Sequence, residues 1–145
     1  MLVATSSYAM TTSTVVVGSS GGCLVIDPAV TTADLAGLAA ELAARGLRPA
    51  VGWSTHPHWD HVLWSRELGD APRYAAPAAI TIAEAERDGI LDGARQAVPD
   101  LDPELAAGAR RTLGEVLAET GQWATATALY HRSLAYFQQA GNRLK

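Results

Sequence analysis

Thr55-His56-Pro57-His58-Trp59-Asp60-His61 holds three of the chain's four histidines within seven residues. The fourth, His131, lies far away in an alanine-rich tail. With Asp60, the three imidazoles make a cluster of nitrogen and oxygen donors in one short loop. Neutral imidazole and carboxylate are the usual zinc ligands outside cysteine-rich structural sites. His56 and His58 stand one residue apart in what reads as extended chain. Alternate side chains there point the same way, so both rings can reach one ion. Pro57 between them restricts the backbone and lowers the cost of ordering it. Asp60 and His61 follow after a turn, close enough to serve the same ion or a second one.

The residues before the cluster explain how it is presented. Pro49 to Ser54 reads as a short buried strand with the cluster at its C-terminal end. A helix is expected ahead of that strand. Thr31 offers a capping hydroxyl and Asp34 an acid three residues on. Leu35, Leu38, Ala39 and Leu42 then recur on one face, and Gly46 is a natural stop. Further upstream, Ser13 to Val17 and Cys23 to Ile26 read as strands joined by the glycine-rich turn at 18–22. They form an antiparallel hairpin that Asp27-Pro28 ends. Residues 2–8 carry a weaker pattern, expected as an edge strand. Downstream, Pro72 to Ala75 reads as another short strand and Pro77 to Leu91 as one helix with Pro in its first turn. Strands and helix in this order make a layered α/β arrangement with the donor cluster at a strand end.

Composition sets the outer bounds. The chain has 145 residues, 48% of them hydrophobic, and a net charge of -4. That suits one soluble domain, or one small domain with an appendage, and gives no reason to expect nucleic acid or an anionic membrane as partner. Cys23 is the single cysteine, which rules out an intrachain disulfide and a cysteine-rich zinc site. In an apolar strand it is expected as a small buried hydrophobe. The N-terminus shows no basic region ahead of an apolar run, and no apolar run nears the roughly 20 residues of a membrane span. The expected location is the cytoplasm.

A metal held at residues 56–61 with an open coordination position would lower the pKa of a bound water to about 7 and polarise a carbonyl or phosphoryl oxygen. That is the physics of hydrolysis at neutral pH. The run His56-x-His58-x-Asp60-His61 resembles the signature of the metallo-β-lactamase-fold hydrolases, and Ile26-Asp27-Pro28 resembles the strand end that precedes the family's helix. The resemblance covers roughly residues 11–92. It implies a partial metallo-β-lactamase-like αββα sandwich and a zinc-dependent hydrolase, with one or two zinc ions and a small-molecule ester, thioester, lactam or phosphoester as substrate. By the same resemblance, His56 and His58 bind the first zinc and Asp60 and His61 the second. Asp60 also orients or deprotonates the attacking water, and Asp27 steadies the metal loop from behind. The family brings further ligands from later strands, whereas here His131 is the sole histidine after His61.

Near residue 102 the character of the sequence changes. Asp102-Pro103-Glu104 is a helix start. Leu105, Ala109, Leu113, Val116 and Leu117 keep helical spacing up to Gly121. Tyr130, Leu134 and Phe137 share one face of a second helix that Gly141 closes. The acidic excess before this point gives way to a basic excess after it. The expected organisation is therefore residues 1–101 as the metallo-β-lactamase-like part and residues 102–145 as a helical hairpin. Leu113-Gly114, Leu117, Gly121, Trp123, Ala126, Tyr130 and Phe137 give that hairpin a resemblance to one tetratricopeptide repeat. It implies a surface for a protein partner or for a second copy. The alternative function is then a non-catalytic metal-binding or interaction protein acting through that hairpin.

Overall fold

A computed structural model describes residues 1–28 and 30–98. The expected C-terminal hairpin, the boundary at 102 and His131 lie outside the described residues.

Five strands form one mixed sheet in sequential order: β1 (Leu2–Thr5), β2 (Thr12–Val17), β3 (Gly22–Ile26), β4 (Arg48–Ser54) and β5 (Arg73–Ala75). β2 pairs antiparallel with β3, as the hairpin reading requires, and β1 pairs antiparallel with β2. β3 runs parallel to β4, and β4 to β5. A parallel step needs a crossover, and α1 (Thr32–Ala44) supplies it between β3 and β4.

The capping reading of α1 holds in detail. Thr31 caps the helix by accepting from the Asp34 N–H, and Asp34 reaches back to the Thr31 N–H. At the other end Gly46 takes a positive φ of 66°, the left-handed turn that glycine enters without a Cβ penalty. Leu35, Leu38 and Leu42 are the buried residues of α1. They pack on Val15, Cys23 and Val25 of the sheet, and Trp64, Leu68 and Ala71 close the same core. Cys23 is thus the buried hydrophobe expected, and burial pushes its thiol pKa up.

After β4 the chain makes a bend and a short helix, α2 (Trp59–Val62), then a 3-10 turn at Arg66–Leu68. The helix expected from Pro77 to Leu91 is instead two. α3 (Pro77–Ala85) ends at Glu86, whose φ of -114° and ψ of 15° leave the helical region, and α4 (Arg87–Ala97) begins immediately after. α4 also runs through 94–97, where the sequence shows few periodic signals. Gly89 and Gly93 dilute its apolar pattern, yet Ala94 is buried. Val30, Val62, Leu63 and Ala83 form a second core with Tyr8, Trp59 and Ile90 packed against it. Trp59 and Val62 tie α2 to this cluster.

Candidate metal centre

Sheet register brings the site together. Ile26 pairs with Trp53 across the parallel β3–β4 step, so the residues just beyond, Asp27 and Thr55, leave the sheet side by side. The Asp27 N–H donates to the Trp53 carbonyl at 2.9 Å. Thr14 pairs with Ile26 on the other side, so the start of β2 lies at the same edge, where the Ser13 hydroxyl donates to the Asp27 carbonyl at 2.8 Å. Parallel strands ending together make a crevice that α/β sheets commonly use for ligands.

Asp27 is buried and sits at a φ of 47°, a left-handed conformation that Asp tolerates better than most residues. Its carboxylate grips the loop twice. Oδ1 accepts from the Thr55 N–H at 2.8 Å and Oδ2 from the Thr55 hydroxyl at 2.6 Å. The same hydroxyl lies 2.9 Å from His56 Nδ1. A hydroxyl has one proton, and here the carboxylate takes it. Thr55 Oγ1 must therefore accept from His56 Nδ1–H, which leaves the His56 Nε2 lone pair as the ring's free donor atom.

The three imidazoles converge. The His56 ring centroid is 4.6 Å from that of His58 and 3.9 Å from that of His61. The expected extended alternation is not the cause, since Thr55 and His56 already lie in a bend. The bends at Thr55, His56 and His58 and the start of α2 turn the rings toward one another. Ser54 anchors α2 to the strand end by donating to the His61 carbonyl at 2.9 Å. Burial, then the neighbouring His61 and His58 rings, lower the His56 pKa, and Asp27 and Asp60 offset this only in part. His56 is therefore held toward the neutral form that ligates metals.

His61 stands between two carboxylates. Nδ1 is 3.1 Å from Asp27 Oδ2, and Nε2 is 3.3 Å from Asp60 Oδ2. The first contact is off the line of a hydrogen bond, so Nδ1 is buried without a hydrogen-bond partner. Burial works to lower the His61 pKa, and the attraction of Asp27 and Asp60 outweighs it, so the net shift is upward. Among the described residues, no group of three His, Cys, Asp or Glu side chains is arranged to hold a metal ion as it stands. His61 Nε2 and Asp60 Oδ2 instead face each other at 3.3 Å.

Thr11 was not apparent as a site residue in the sequence. Its hydroxyl donates to Asp60 Oδ2 at 2.9 Å across 49 positions. No local motif marks such a pairing, because it is made by sheet register. Trp64 packs in the core and donates to the Gly69 carbonyl at 2.7 Å. Trp59 meets the Tyr8 ring edge-on at 5.7 Å. Both tryptophans thus serve packing.

A mixed sheet with its crossover helix, and a histidine–aspartate cluster at the carboxyl end of its parallel strands, define the class. The chain belongs to the metallo-beta-lactamase superfamily, whose family model matches residues 8–131. The match is longer than the resemblance at 11–92 and passes the expected boundary at 102. Among curated proteins no match is found.

Proposed function

We propose that the chain is a zinc-dependent hydrolase acting on a small-molecule ester, thioester, lactam or phosphoester. The observation that carries this reading is the gathering of His56, His58, Asp60 and His61 at one sheet edge in a member of this superfamily. The donor set suits zinc: three imidazoles and a carboxylate, without sulfur. Asp27 Oδ2 stands 3.1 Å from His61 Nδ1, which leaves Nε2 as the ring nitrogen available to an ion.

In this reading His56 and His58 hold one ion, and Asp60 and His61 hold a second. When bound, zinc supplies polarisation of the scissile group and activation of water at neutral pH. The protein's own residues do the rest. Asp60 orients the attacking water and takes its proton at a carboxylate oxygen. Asp27 fixes the His56 tautomer through Thr55 and faces His61 directly, so one buried carboxylate orients two imidazoles.

The test uses zinc-supplemented full-length protein with four chromogenic probes: a nitrophenyl ester, a thioester, a cephalosporin and a bis-nitrophenyl phosphodiester. Turnover of at least one is expected, abolished by a chelator and restored by zinc. Asp60→Ala is expected to lower kcat/KM by about 100-fold or more. A zinc-loaded protein inert on all four probes would contradict the proposal.

A further inference from the structure

We infer that Thr11 is a positioning residue for Asp60; the inference rests on the metal-site reading above. Two contacts fall on the same oxygen of Asp60: the Thr11 hydroxyl at 2.9 Å and His61 Nε2 at 3.3 Å. His61 is itself a proposed ligand and is expected to turn its nitrogen to the ion. Thr11 is then the contact that still fixes the rotation of the Asp60 carboxylate, and with it the direction in which Oδ1 points.

Thr11 is built to hold its place. It is buried, and its carbonyl accepts from the Ser6 N–H at 2.8 Å across the β1–β2 turn. The turn contains Ala9 at a φ of 52° and Met10 at 57°. Left-handed backbone is strained for non-glycine residues, and such conformations persist where surrounding contacts over-determine them. Tyr8 donates to the Ala97 carbonyl at 3.0 Å and packs on Trp59, which directly precedes Asp60. The strained turn is thus clamped to the metal loop at two points, and Thr11 is the one that touches a proposed ligand. Its hydroxyl offers a donor to a carboxylate that must stay ionised to bind a cation, and orienting partners of this kind tune metal affinity by 10–100-fold.

The experiment is a double-mutant cycle on full-length protein. Zinc affinity is measured by competition with a chromophoric chelator, and the visible spectrum of the cobalt-substituted protein is recorded alongside. Thr11→Val removes the hydroxyl at nearly constant shape. It is expected to weaken zinc binding by about 10-fold or more and to shift the cobalt spectrum, whereas Thr11→Ser keeps both near wild type. In an Asp60→Asn background, Thr11→Val is expected to have little additional effect, because the two act as one unit. If Thr11→Val does not fold, Thr11→Ala in both backgrounds carries the same comparison. Equal zinc affinity and spectrum for wild type and Thr11→Val would overturn this inference alone. An equal loss with and without Asp60 would also overturn it, reducing Thr11 to a structural role. If wild type itself binds no zinc, the metal-site reading fails and this inference with it.

Discussion

At the scale of single residues, Asp27 and Gly52 show how packing and chemistry share the same strand ends. Asp27 holds Thr55 by two hydrogen bonds while tolerating a left-handed backbone. Gly52 lies one strand over, and a Cβ there would meet Trp64 Cζ3 at 2.6 Å and Arg73 Cγ at 2.9 Å. Trp64 is buried, and the Arg73 guanidinium lies over its ring at 5.5 Å, so neither neighbour can simply swing away. Gly52→Ala is therefore expected to destabilise the protein by about 1–3 kcal/mol, the usual cost of overpacking, seen as a lower urea midpoint with an unchanged slope. An unchanged midpoint would mean that the Trp64–Arg73 stack gives way freely. At this scale the sequence was informative where residue types are rare. Three histidines in seven positions identify themselves. Thr11 and Thr55 do not, because threonine is common and their partners, Asp60 and Asp27, lie 49 and 28 positions away.

At the scale of elements, α1 shows what local sequence specifies well. Its capping box, apolar face and terminal glycine are each set by residues close together along the chain, so the pattern alone reveals them. The structure adds a long-range contact: the Ser6 hydroxyl donates to Asp34 at 2.7 Å. Burial works to raise the Asp34 pKa. The hydrogen bonds from Ser6 and from the Thr31 hydroxyl and N–H outweigh it, leaving the carboxyl below its ordinary value. A carboxylate with a depressed folded pKa contributes stability that is present above its unfolded pKa, near 4, and is lost as pH falls through the folded pKa. Asp34→Asn is expected to cost about 1 kcal/mol at neutral pH. The gap to wild type should narrow in unfolding measurements taken below about pH 4. A gap that stays constant down to pH 2 would argue against the ionised carboxylate as the stabilising group. α3 and α4 show the opposite case. Their division at Glu86 carries no Pro or Gly at the break itself. Ala83 of α3 and Ile90 of α4 both pack in the second core, which is tertiary information that a local pattern lacks.

At the scale of the molecule, the sheet collects residues that the sequence scatters. The order β1 to β5 is sequential, yet the antiparallel and parallel steps place the start of β2 and the ends of β3 and β4 at one edge. Thr11, Asp27 and the run from Thr55 to His61 thereby become one neighbourhood. The strands, the β2–β3 hairpin and the loop carrying the histidines could be read in advance, because hydrophobic periodicity and turn residues mark them; the order of the strands in the sheet could not. Nor could the direction of the rings, because it arises from the bends on either side of Pro57 and from α2 rather than from strand alternation. Zinc binding by this neighbourhood is read from the metal content of purified full-length protein after zinc loading and gel filtration. One or two zinc ions per chain are expected for wild type, falling to background in a His56→Ala/His58→Ala/Asp60→Ala protein that remains folded. Zinc in wild type no higher than in that triple variant would contradict the claim.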